Sequence, residues 1–224
     1  THETVALAFA LTEEAIEDNL YDTLSSRYTR ALARSMNTTK QVKAANVLNN
    51  AFNSSFVGGD GKELCATDHP TVGNIDLRNE LSTAADLNET SLEQALIDIA
   101  DFKDERGLKI NAQATKLIIP PALQFVADRL MESPGRVSTS DNDINAIRNM
   151  GMVPQGYVVN NYLTDTDAFF IKTDVPNGLK HFVRTPVSTS MEGDFETGNV
   201  RYKARERYSF GFSDWRGIFG SPGA

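Results

Sequence analysis

The sequence is poor in the residues that most often build reactive centres: one cysteine, three histidines and one tryptophan stand in 224 residues. A single Cys excludes an internal disulfide, and so few Cys and His leave little material for a zinc site. Long apolar runs are missing as well, since LIIPPALQFVA and similar stretches are interrupted by proline or charge, and no membrane-spanning helix is expected. The opening THETVALAFALTEE has neither an initiator Met nor a basic leader segment, so a processed or truncated start and synthesis inside a cell are expected. On that expectation the N-x-[ST] sites at Asn37, Asn53 and Asn88 are set aside as glycosylation sites. Cations are short too. The net charge is −8, with ten Lys/Arg against eighteen Asp/Glu in residues 1–112 and twelve of each in 113–224. Phosphate binding needs clustered cations, so any contact with nucleic acid has to be local.

What is present suits a core in one large domain or two small ones: 40% of residues are hydrophobic and 23% charged. Thr12 reads as a helix N-cap before Glu13, Glu14, Glu17 and Asp18, whose charges suit the positive end of a helix. Ile16, Leu20, Leu24, Tyr28 and Leu32 recur at nearly helical spacing. After a weak point at Asn37-Thr38-Thr39 the pattern resumes through Val42, Ala45, Leu48 and Phe52, which predicts one amphipathic helix of roughly forty residues, bent at most. Residues 53–90, rich in Gly, Ser, Asn and Pro, read as an extended loop or hairpin, long enough to need a binding or interlocking role.

Thr90-Ser91-Leu92-Glu93 reads as a capping box opening a helix whose apolar face, Leu92, Ala95, Leu96, Ile99 and Phe102, ends at Gly107. KLIIP is expected as a buried strand, and Pro120-Pro121 as the start of another helix carrying Leu123, Phe125, Val126 and Leu130. Strand alternating with helix implies an α/β layer. Ser133 to Gly151 reads as a polar loop, QGYVVNNYL and AFFIKTD as a hairpin, Pro176-Asn177-Gly178 as a turn, and HFVRTPVS as further β structure. VRYKARERYSFGF is the clearest strand. It puts Val200, Tyr202, Ala204, Tyr208, Phe210 and Phe212 on one face, with Glu206 the exception, and Arg201, Lys203, Arg205 and Arg207 on the other.

In ELCATDHPTVGN, Cys65 and His69 suggest a nucleophile and its base, as in a Cys/His hydrolase. No catalytic-cysteine signature surrounds Cys65, and no helix N-terminus lowers its pKa. The stretch reads better as a turn made by Asp68, an extended His69 before Pro70, and a Cys65 packed as a small hydrophobe. A metal site at Cys65, Asp68 and His69 needs a distant fourth ligand, His2 or His181, in a spacing no zinc motif shares. VGGDGKE departs from a phosphate loop at Phe56 and Glu63. Acid groups such as Asp101, Asp104 and Glu105 read as solvated helix ends. The basic face of the last strand is the remaining signal. It suits phosphate, in a nucleic-acid-binding module, an acidic neighbouring subunit, or plain solvation with no partner, and the charge imbalance of the chain favours the neighbour.

Taken in order, LTEEAIEDNLYDTL, GDG, ELCATDHP, SLEQALIDIADFKDERG, KLIIPPALQFVADRL, YLTDTDAFFIKTD and RYKARERYSFGFSDWRGIFGSPG resemble major capsid proteins of tailed bacteriophages of the Hong Kong 97 type, with the Mu-like head subunits the nearest group. RERYSFGFSDWRGIFGS and ATDHP carry most of the likeness. It implies an α+β fold with residues 1–60 as a peripheral domain holding a spine helix, 61–89 as an extended loop, 90–180 as an axial domain and 181–224 as peripheral return strands. The family's N-terminal arm and E-loop are expected to be absent from this chain. It further implies a structural protein, not an enzyme, that assembles into hexamers and pentamers of an icosahedral shell around double-stranded DNA. Portal, scaffolding or cement proteins would be further partners. The virion would be its place and the host bacterial cytoplasm its site of assembly; no membrane partner, cofactor, metal or catalytic residue is implied. Subunit contacts are expected from Arg201, Lys203, Arg205 and Arg207 and from Glu13, Glu14, Glu17, Asp18, Asp68 and His69, with Trp215 as a buried anchor against the peripheral sheet or a neighbour.

Overall fold

A computed structural model describes residues 2–18, 21–73, 75–136 and 143–224. Leu20 of the expected helical stripe, Asn74, and 137–142 of the expected polar loop lie outside the described residues. In chain order the elements are β1 (Glu3–Leu11), α1 (Glu13–Glu17), α2 (Tyr21–Asn49), α3 (Glu89–Ala100), β2 (Ala114–Ile119), α4 (Gln124–Glu132), α5 (Ala146–Met150), β3 (Tyr157–Val159), β4 (Phe169–Thr173), β5 (Leu179–Gly193), β6 (Val200–Phe212) and β7 (Ile218–Ser221). Short 3-10 turns occupy Pro121–Leu123 and Trp215–Gly217. The chain divides into two compact units, Thr1–Ala44 with His181–Phe210 and Ala45–Lys180 with Gly211–Ala224.

In the first unit Thr12 caps α1, its Oγ1 accepting the Ala15 amide at 3.4 Å. α2 passes through Asn37-Thr38-Thr39 without the expected weak point, because the Thr39 hydroxyl donates to Ser35 O at 3.0 Å and so bonds within the helix instead of competing with it. The sheet has the order β1-β6-β5, with β1 antiparallel to β6 from Glu3 opposite Tyr208 to Leu11 opposite Val200. Leu32 and Met36 of α2 and Ala204 of β6 make its core, flanked by Val5 and Phe9. Glu206, the charged exception on the apolar face of β6, is buried and kept there by Lys40 at 2.5 Å. A carboxylate removed from water requires such a partner.

The second unit is built on a sheet of order β3-β2-β4-β7, in which β2 runs parallel to β3 and antiparallel to β4. The expected hairpin of β3 with β4 therefore does not form: β2 lies between them, and its Leu117 and Ile119 are wholly buried, as a central strand needs. The cap of α3 is Asn88, two residues before the expected box, because its Oδ1 accepts the Ser91 amide at 2.9 Å while Ser91 Oγ accepts the Asn88 amide at 3.0 Å. The helix stops at Ala100, short of Gly107. That glycine, at φ 84°, instead turns the Asp104–Leu108 loop. α5 occupies part of the expected 133–151 loop. Asn145 Oδ1 accepts the Arg148 amide at its start, and Gly151, at φ 61°, ends it. The chain's last residues pair β7 with β4 from Ile218 opposite Lys172 to Ser221 opposite Phe169, and 211–224 fall in this compact unit.

Candidate functional site

The described residues of the loop up to Asn88 form no helix or strand, yet a buried polar knot holds the loop. His69 is wholly buried and stacks on Trp215, with ring centroids 4.2 Å apart and planes 2° from parallel. Its Nδ1 lies 2.7 Å from Asp60 Oδ2 and its Nε2 3.0 Å from Asn79 Oδ1. Asn79, also wholly buried, accepts the Ala66 amide at 3.0 Å and turns its Nδ2 to three carbonyls: Leu64 at 2.7 Å, Trp215 at 3.0 Å and Ile218 at 2.9 Å. An antiparallel bridge between His69 and Leu77 closes the loop, and a parallel bridge between Glu80 and Gly220 lays it along β7.

This geometry removes the nucleophile reading. Cys65 is 1% exposed, and burial pushes its thiol pKa well above the ordinary value, with the Glu80 and Glu63 charges adding to the rise. Both nitrogens of His69, the nearest base in sequence, are taken by Asp60 and Asn79. We expect a thiol reagent at neutral pH to leave native Cys65 unmodified over a period that labels the denatured chain completely. Rapid labelling of the native protein would restore Cys65 as a nucleophile. Of the proposed contact residues in this stretch, His69 points into the core and offers a neighbour nothing. Asp68 is exposed and paired with Lys62. Trp215 is buried as expected, in the core of the second unit against Phe102 and not on the three-stranded sheet. Among the described residues no group of His, Cys, Asp and Glu could hold a metal ion, and no helix is long and apolar enough to cross a membrane.

The outer face of the sheet in the first unit is different in kind. Arg201, Lys203, Arg205 and Arg207 are exposed in alternation along β6. Arg201 is bound to Asp194 at 2.5 Å, while Lys203, Arg205 and Arg207 make no ion pair among the described residues. Their partners in register on β1 are Ala8, Ala6 and Thr4, too small to cover them. Beyond β6, β5 forms the edge: fifteen residues, exposed on both faces but for one half-buried position, and carrying Phe182, Val183, Val187 and Met191. Phe195, in the turn before β6, is completely exposed. Glu13, Glu14, Glu17 and Asp18 are exposed at the start of the helical segment. A long edge strand bearing large apolar side chains is a surface that soluble monomers avoid. The sequence reading found the cations and missed this apolar edge, although HFVRTPV and the lone Phe in EGDFETGNV were signals of it.

The charge is as uneven between the two units as between the halves of the chain. The first unit holds ten Lys/Arg and ten Asp/Glu, whereas the second holds twelve against twenty and so carries the whole −8.

The sequence model of a phage capsid protein family matches residues 1–220. Solved structures share the fold at low identity. The capsid of Myoviridae phage XM1 has a TM-score of 0.58 at 13% identity, over 100% of this chain and 74% of that one. A chain of Mycobacterium phage Che8 and the capsid of Cyanophage P-SCSP1u each give 0.55 at 14% identity, over 99% of this chain and 72% of theirs. Comparison with curated proteins gave no match.

Proposed function

The chain belongs to the phage capsid protein family and has the Hong Kong 97-type fold, a structural protein of the virion capsid, and from that premise we propose how it builds a shell. Copies associate into hexamers and pentamers of an icosahedral particle that encloses double-stranded DNA. The unit with α2 and the three-stranded sheet takes the peripheral position, and the unit with the four-stranded sheet the axial one. The observation that carries the reading is the sheet of the first unit, where an unpartnered apolar edge on β5 lies beside the bare cations of β6. In an assembly both find partners: the apolar edge is buried, and Lys203, Arg205 and Arg207 meet the acidic surface of a neighbouring copy, whose second unit carries the charge of −8. The exposed Glu13, Glu14, Glu17 and Asp18 are a second acidic surface for the same purpose. Portal, scaffolding or cement proteins, assembly in the host bacterial cytoplasm and a purely structural, non-enzymatic role complete the proposal. Kinship with Mu-like head subunits rests on sequence likeness alone.

Negative-stain microscopy of the purified protein tests it, with shells or capsomers expected. Changing Lys203, Arg205 and Arg207 together to Glu should abolish them while circular dichroism and the unfolding midpoint stay near wild type, since these side chains are exposed and make no ion pair among the described residues. Normal shells from that variant would remove β6 from the interface. A wild-type protein that stays monomeric at high concentration would count against the whole reading.

A further inference from the structure

The cations of α2 are as unevenly placed as those of β6. Between Asp22 and Asp60 the sequence has no acidic residue and five cations, Arg27, Arg30, Arg34, Lys40 and Lys43. The lysines have partners, Lys40 in Glu206 and Lys43 in Glu3. Arg27, Arg30 and Arg34 are exposed and make no ion pair among the described residues. Their spacing of three and four puts them on one helix face, opposite the buried Leu32 and Met36. The result is an exposed ridge of guanidinium groups with no ion-pair partner among the described residues.

We propose that this ridge of α2 binds the phosphate backbone of duplex DNA without regard to sequence. The inference rests on the capsid reading above and adds to it which face of the subunit meets the packaged DNA. The ridge rises about 10 Å over seven residues, and a duplex presents a phosphate about every 1.7 Å of its axis, so three arginines find phosphates in any register. Arginine suits the task, since its planar fork holds two phosphate oxygens and keeps its charge at every working pH. An acidic protein is the poorer fit. Specific protein interfaces centre on buried aromatic or aliphatic anchors, and the ridge is flanked by Ala31, Asn37 and Thr38. Phosphate contacts position a partner but read no bases, as a shell that must hold any sequence requires.

The test uses the whole chain and fluorescent short duplexes of two unrelated sequences, read by anisotropy between about 50 and 200 mM salt. Equal binding of both duplexes is expected, with log K falling against log salt at a slope near −2.7, that is about −0.9 for each of three phosphates. The triple change Arg27→Gln, Arg30→Gln, Arg34→Gln should lower affinity at least tenfold at the lower salt and remove the slope, whereas the triple change to Lys should keep most of both. Each single Gln change should take about 0.9 from the slope, which keeps the proposal open to test if the triple variant folds poorly. Neutralising Lys203, Arg205 and Arg207 to Gln should leave binding unchanged. Undiminished binding by the α2 variants, loss of binding by the β6 variant, or tighter binding of polyglutamate than of duplex would each overturn the proposal. Failure of the capsid reading is seen separately, as a wild-type protein that builds no particles. Particles formed by an α2 variant that still binds DNA like wild type refute this inference alone.

Discussion

Asn79→Ala is expected to cost the subunit about 4 kcal/mol or more of stability, a loss at the extreme of what single substitutions produce. The side chain has no exposed surface and makes five hydrogen bonds. Truncation leaves the carbonyls of Leu64 and Ile218, the amide of Ala66 and one nitrogen of His69 without partners in a place closed to water, and leaves the Trp215 carbonyl with the Ile218 amide alone. Each orphaned group costs about 1–3 kcal/mol, only in part additively, and small shifts recover some of it. Leucine in the same position should be no better, since volume is restored but no bond is. The check is urea unfolding of the wild type and both variants, with equal slopes required for the midpoints to be compared. A loss below about 1 kcal/mol would mean that the loop is held by packing alone and that the polar knot is incidental.

The knot also accounts for what could and could not be read from the sequence. The strand β6 was legible because alternation is a local signal: Ala204 and Tyr208 are buried, and Lys203, Arg205 and Arg207 exposed, as the period of two requires. The cap at Thr12 and most of the long helix were legible from local signals too, but the expected single helix was too long: α1 ends at Glu17, and α2 runs from Tyr21 to Asn49, short of Phe52. The cap at Asn88 was misplaced at Thr90 because both residue types cap helices, and only the reciprocal bonds to Ser91 decide between them. The position of β2 between β3 and β4 was beyond any local pattern, since pairing order is set by long-range burial. Asn79 gave no signal at all. Its carbonyl partners at Trp215 and Ile218 lie 136 and 139 residues away. The two stretches that carried the family likeness, ATDHP and RERYSFGFSDWRGIFGS, turn out to touch, through the stack of His69 on Trp215. Their shared specificity is that of two surfaces that pack on each other. That explains why ATDHP looked like a reactive site and works as a clasp.

Gly217→Ala is expected to disrupt the same region from the opposite side, with a loss of about 3 kcal/mol or more. The turn at Asn177-Gly178 and the turn at Trp215–Gly217 cross with their backbones in contact, joined by hydrogen bonds from the Ser213 amide to Gly178 O at 3.2 Å and from the Asp214 amide to Asn177 O at 2.9 Å. A Cβ at Gly178 would lie 2.9 Å from Gly217 Cα, and one at Gly217 would press more closely still on Gly178 Cα and lie 3.2 Å from its nitrogen. The obstacle is backbone on both sides, so no rotamer change relieves it and one turn has to move. Movement of the second turn displaces Trp215 from His69 and strains the start of β7, where Ile218 pairs with Lys172 of β4. Gly59→Ala is the control, because a Cβ there meets nothing within 4 Å and its backbone needs no glycine. That variant should stay within about 0.5 kcal/mol of wild type. Because the two alanines would clash across one contact, Gly178→Ala combined with Gly217→Ala should cost less than the sum of the single changes: once the turns have parted for one methyl group, the second meets less resistance. Equal unfolding midpoints for Gly217→Ala and Gly59→Ala would show that the crossing is loose. The demand for glycine at 178 and 217 would then have to come from somewhere other than the fold of the subunit.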